Sequence, residues 1–170
     1  TRPIALMPML YRVWTKIRKP LITKWELDHA GPWDAAIQGS SALRAALHSQ
    51  LMDEAGHYAG HQNGTLLFDM EKFYDNIDII KLINLGQEHQ YPTRIMALGL
   101  QMHMAVRGLK CYNTHPGCSM PANGIIAGCT QSTTFAKVLL MDVMHTMYKQ
   151  MGIRNTLYQA QLRTFVDDIR

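Results

Sequence analysis

Three carboxylates stand where short apolar runs end: Asp69 follows Leu66, Leu67 and Phe68, and the adjacent Asp167 and Asp168 follow Phe165 and Val166. A charge at the end of a strand-like apolar run is costly to place unless it is used or hydrated. If the two runs are neighbouring strands of one sheet, the carboxylates converge. Successive side chains on a strand point to opposite faces, so Asp167 and Asp168 cannot both aim at one point unless the backbone turns there. One of the two is therefore expected to be the principal ligand, with the other supporting it. Clustered carboxylates repel and need a cation, and hard oxygen ligands favour Mg²⁺, with Mn²⁺ a possible substitute. Two such ions on aspartates are a standard device for in-line phosphoryl transfer, one activating the attacking oxygen and the other stabilising the leaving group. An isolated Asp-Asp pair is more often a solvated turn, so the carboxylates alone do not establish this chemistry.

The elements that must position them follow from periodicity and turn chemistry. A short extended opening leads to a helix over roughly Tyr11 to Lys19, closed by Pro20. Ser40 or Ser41 caps a second helix whose apolar positions Leu43, Leu47 and Leu51 recur every four residues, and the turn-rich Gly60 to Gly64 stops it. The run ThrLeuLeuPhe before Asp69 has strand length, and a helix follows through Phe73, Ile77 and Ile80. Pro92 opens another helix, since proline suits the first turn. Arg107 to Asn113 reads as a strand, the segment to Gly128 as loop, and the run from Cys129 as a long helix ended by Gly152. Along that helix Met141, Met144, Met147 and Met151 form a stripe that reads as core packing. Two candidate strands, Leu157 to Gln161 and Leu162 to Val166, lead to the Asp pair. The order implies an α+β domain with an antiparallel sheet backed by helices.

At 170 residues with 47% hydrophobic content, the chain is long enough for one domain with a real core. Its net charge of +4 permits a polyanionic partner without requiring one. The distribution says more: Arg2, Arg12, Lys16, Arg18, Lys19 and Lys24 share the first 25 residues with Tyr11, Trp14 and Trp25, and no acid interrupts them. That mix suits a nucleic-acid backbone and stacked bases, and equally a solvated helix face over a tryptophan core. An odd count of 3 cysteines is no disulfide framework and points to a reducing compartment, intracellular (nuclear or cytoplasmic) and not secreted. The longest uncharged run, Cys111 to Ala136, is too polar to span a membrane. Cys111, His115 and Cys118 could supply three zinc ligands, with Cys129 or His103 as a fourth, but the spacing fits no settled structural site.

Ordered motifs along the whole chain resemble those of reverse transcriptases, most closely the non-LTR (LINE-like) retrotransposon type. RPIAL, Arg2 to Leu6, resembles a fingers motif, which implies that Arg2 contacts the incoming triphosphate. GSSALRAAL resembles the helix preceding the catalytic core. FDMEKFYDNI, Phe68 to Ile77, looks like motif A and implies metal binding by Asp69. GIIAGCTQSTTFAKVLL, from Gly124, is similar to motif B, and FVDD, Phe165 to Asp168, to motif C. Each motif is weak alone, and their order and intervals together are specific.

The resemblance implies a polymerase right-hand fold, fingers and palm, truncated before the thumb. The division expected is fingers-side 1–60 and 86–127 and palm 61–85 and 128–170. It places Tyr74 as the aromatic gate that excludes a ribose 2′-OH, Lys72 near phosphates, and Gly128 where backbone passes close to the nascent base pair. Asp69, Asp167 and Asp168 are then the catalytic and metal-binding set. The implied partners are an RNA template, a DNA primer and dNTP, with other domains of a longer polyprotein and no membrane. Two departures stand out: Ala127 where many relatives carry Gln, and Phe165 opening motif C. The alternatives are a viral-type RNA-dependent RNA polymerase, with Asp75 as a second motif A aspartate, and a decayed remnant that only binds nucleic acid. Val166 before the Asp pair, in place of the usual glycine, weighs against the first. The chain starts without methionine and stops just past the Asp pair, which suggests a fragment of weak or no activity alone.

Overall fold

The computed structural model describes residues 5–62 and 69–153. Five helices and one hairpin run in the order α1 (Met9–His29), α2 (Ala42–Tyr58), α3 (Ile79–Glu88), α4 (Thr93–His103), β1 (Arg107–Cys111), β2 (Thr114–Ser119) and α5 (Ser132–Ile153). The architecture is mixed, helical with a small antiparallel sheet. The expected strand before Asp69 and both expected strands before Asp167 lie outside the described residues, as does the Asp pair.

The core forms where α3, α4 and α5 meet the inner face of α1. Leu82, Phe135 and Val138 are wholly enclosed, with Trp25, Trp33, Tyr91, Ile95 and Leu100 packed around them. Met141 is buried and Met144 packs against the same cluster, so the first half of the methionine stripe faces the core, while Met147 and Met151 are half-buried. α1 runs on past Pro20, contrary to the expected stop. Pro20 and Lys16 are both exposed, so water can satisfy the carbonyl that proline leaves free, and burying Ile22 and Trp25 further along favours continuation.

Polar ties lock α1 and the loop after it to the rest. Trp25 Nε1 donates to the His89 carbonyl at 2.8 Å, and Thr134 Oγ1 donates to Glu26 Oε1 at 2.6 Å. Lys137, on α5, meets Asp34 at 2.9 Å and donates to the Ala36 carbonyl at 2.6 Å. Both charged groups are nearly enclosed, and the extra hydrogen bond is what such a pair needs to offset desolvation.

α2 begins where expected: Ser41 Oγ accepts from the Arg44 amide at 3.2 Å. Its leucines Leu43, Leu47 and Leu51 are exposed, however, rather than seated in the core. After Asp69 there is no single helix. Phe73 to Asn76 form a 3₁₀ turn entered through Lys72 at φ +50°, and α3 starts anew after Asp78. Asp78 Oδ1 accepts from the amides of Ile80 (2.8 Å) and Lys81 (3.1 Å), a cap that competes with helix continuation. The segment expected as loop after Asn113 instead returns as β2, pairing Arg107 with Ser119 and Gly108 with Cys118. α5 includes Gly152 and ends at Ile153. Among the described residues no helix is long and apolar enough to cross a membrane.

Candidate functional site

The site is built from the turn after Asp69 and the loop before α5. Asp69, Glu71 and Lys72 are exposed, and Lys72 Nζ lies 4.0 Å from Glu71. A pair so open to water holds neither partner firmly, so Lys72 can leave it for a stronger anion. Phe73 and Tyr74 sit half-buried at the rim of the core, their rings in edge contact at 5.6 Å. Tyr74 is thus partly a packing residue and partly open to solvent.

Three consecutive amides fix the loop. Gly124 N–H donates to the Ile77 carbonyl (3.0 Å), Ile125 N–H to the Tyr74 carbonyl (2.8 Å), and Ile126 N–H to Nδ1 of His103 (2.9 Å). Two of the three acceptors belong to the turn after Asp69, and the third to the end of α4. Gly124 is required for this approach: at φ +82°, a Cβ there would stand 2.6 Å from the Asp75 carbonyl oxygen and 2.8 Å from its Cα. Ser132 Oγ donates to the Ile126 carbonyl at 2.5 Å, closing the loop onto the first turn of α5.

Ala127 and Gly128 project outward between the buried Ile126 and Cys129. Gly128 has φ +86°, and the space where a Cβ would stand is empty to 4 Å. The loop therefore presents bare backbone to whatever lies above it. Beneath, Tyr11 OH donates to Gln131 Oε1 at 3.0 Å and lies 3.6 Å from Cys129 Sγ. Burial raises the Tyr11 phenol well above its ordinary range, with Cys129 adding to the shift, so the group remains a neutral donor. This ties α1 to the start of α5.

Of the residues expected to act, the structure brings Tyr74 and the segment carrying Gly128 into one hydrogen-bonded unit, with Lys72 and Asp69 on the chain leading into it. Arg2, Asp167 and Asp168 lie outside the described residues. Among the described residues no group of three His, Cys, Asp or Glu could hold a metal ion. That includes Cys111, His115 and Cys118: both cysteines are exposed, and Cys118 sits opposite Gly108 rather than Cys111. Asp69 supplies an exposed hard-oxygen donor suited to Mg²⁺, and a complete site needs further carboxylates beside it.

The basic segment resolves in favour of the plainer reading of its aromatics. Tyr11 and Trp25 are buried and Trp14 packs against the core, so none is a free stacking platform, while Arg12, Lys16, Arg18, Lys19 and Lys24 are exposed. Sequence reasoning placed Gly124 and Ser132 within motif B without a role of their own, and weighed His103 only as a fourth zinc ligand. The Asn123-Gly124 pair was a turn signal that could have drawn attention to the first, while the other two needed the fold.

A family model described as reverse transcriptase (RNA-dependent DNA polymerase) matches residues 1–170. No curated protein and no solved structure matches the chain significantly.

Proposed function

The chain belongs to the reverse transcriptase (RNA-dependent DNA polymerase) family, and from that membership we propose that it is the fingers and palm of a retroelement polymerase of the non-LTR type. The observation that carries the reading is the joining of the Asp69 turn to the Gly128 loop, through Tyr74 to Ile125 and Ile77 to Gly124, within a chain the family matches throughout. Polymerases of this family bind template, primer and dNTP and generally use divalent metals.

In this reading Asp69, Asp167 and Asp168 would hold two Mg²⁺ ions. When bound, the ions supply activation of the primer 3′-OH and neutralisation of the departing pyrophosphate. Tyr74, held at the rim of the core, gates the sugar, and Lys72 and Arg2 approach the triphosphate. The Ala127–Gly128 turn lets backbone lie against the nascent base pair. From His89 to Met141 the sequence holds no Asp or Glu, so the segment around the Gly128 loop brings no carboxylate that would repel a phosphodiester strand. The free cysteines Cys111 and Cys118, both exposed, fit a reducing compartment, nuclear or cytoplasmic.

Primer extension on an RNA template with dNTP, by the longest polypeptide containing this chain, tests the proposal. Template-directed, metal-dependent DNA synthesis supports it, and synthesis that prefers rNTP would move the chain to the RNA polymerases instead.

A further inference from the structure

Among the three tied amides of the loop, only that of Ile126 is received by a side chain. His103 closes α4, is wholly enclosed, and sets its ring edge-on to Phe135 at 5.7 Å. Because Nδ1 accepts from the Ile126 amide, it carries no proton, and the neutral ring holds its hydrogen on Nε2. Nε2 is buried with no hydrogen-bond partner among the described residues. An unpaired buried donor is a cost that an apolar side chain in this place would avoid. Among the described residues, what the ring provides is one acceptor facing Ile126.

We propose that His103 is the positioning residue of the nucleotide-facing loop: it holds the Ile126 peptide from the α4 side, while Tyr74 and Ile77 hold the two preceding peptides from the Asp69 side. This inference rests on the reading of the Gly128 loop as the surface that meets the bound nucleotide. Ile126 lies two residues before Gly128, and its carbonyl is received by Ser132, so both ends of the peptide leading into the Ala127–Gly128 turn are fixed. Arg107 reinforces the arrangement by donating from Nη2 to the His103 carbonyl at 3.0 Å, which fixes the end of α4 where the ring is mounted. Without the Nδ1 acceptor, the Ile126 amide is left unsatisfied in the core and the loop shifts to pair it. A displacement of a positioning group by about 1 Å lowers kcat/KM by up to about 100-fold when the reacting geometry depends on it.

Two isopolar variants separate this role from mere packing. In His103→Asn the amide oxygen stands about where Nδ1 stood, and in His103→Gln it is carried one bond further. Hydrogen exchange of the Ile126 amide and dNTP kinetics are measured on both variants and the wild type. The expected result is protection of Ile126 retained in His103→Asn and lost by about tenfold or more in His103→Gln. KM for dNTP rises in His103→Gln alone, with kcat less affected. Equal protection in both variants, or equal loss in both, would overturn the assignment. A wild type that extends no primer would count against the polymerase reading, while the exchange comparison still decides whether His103 holds the loop.

Discussion

The amide of Ile125 donates to the carbonyl of Tyr74 at 2.8 Å, so the loop that carries Gly128 and the turn that follows Asp69 cannot move independently. Side chains at both places can change while this backbone contact remains. Its vulnerability lies in the neighbouring Gly124, whose closeness to Asp75 makes the contact possible.

Gly124→Ala should therefore destabilise more than Gly128→Ala. Both glycines have positive φ, which costs any L-residue roughly 1–2 kcal/mol, but only at Gly124 would a methyl meet backbone, 2.6 Å from the Asp75 oxygen. Urea unfolding should give a loss of about 3 kcal/mol or more for Gly124→Ala and about 1–2 kcal/mol for Gly128→Ala. Equal midpoints would contradict the packing described.

Lys137 and Asp34 make a second test. The pair is enclosed at 2.9 Å, so Lys137→Met leaves the Asp34 carboxylate buried without its cation. A loss of about 3–5 kcal/mol is expected, and Asp34→Asn combined with Lys137→Met should recover part of it. Denaturant midpoints of the single and double variants decide the matter.

Acid sensitivity follows from His103. Burial first, and the Arg107 guanidinium second, lower its pKa from 6.5 to about 4. A position at the C-terminal end of a helix would favour the cation, and here desolvation outweighs it. Since the folded protein resists a proton that the unfolded chain accepts near pH 6.5, stability is full above that pH. It falls as pH drops from about 6.5 to about 4, by up to roughly 3 kcal/mol. His103→Asn should lack this component. Unfolding midpoints compared between pH 7 and pH 4 should show a smaller acid loss in the variant, and parallel curves would refute the buried neutral ring.

Tyr74 carries the sugar specificity in the proposed function. Its half-buried ring packs beside Phe73, so replacement should affect both discrimination and stability. Tyr74→Val should raise rNTP use relative to dNTP by about 10-fold or more, while costing about 1–3 kcal/mol in unfolding assays. Unchanged sugar preference in a folded variant would remove Tyr74 from the gate.

Much of this was legible in the chain because the relevant signals are local. Ser41 was a cap and proved to be one, and Met141 and Met144 of the methionine stripe face the core. The readings that failed depended on tertiary context. Pro20 looks like a stop until the burial of Ile22 and Trp25 beyond it is known. The helix expected after Asp69 broke because Asp78 offered α3 a better start. His103 was weighed only as a metal ligand, since nothing in its neighbours announces a contact with Ile126, 23 positions away.

The most direct test of the polymerase account is primer extension by the longest polypeptide containing this chain, with and without Asp69→Ala, on an RNA template with Mg²⁺ and dNTP. Loss of a carboxylate that holds the catalytic cation removes several kcal/mol of transition-state stabilisation, a rate decrease of roughly a thousandfold or more. The account predicts DNA synthesis by the wild type and a fall of that size in the variant. Synthesis by Asp69→Ala at the wild-type rate would contradict it.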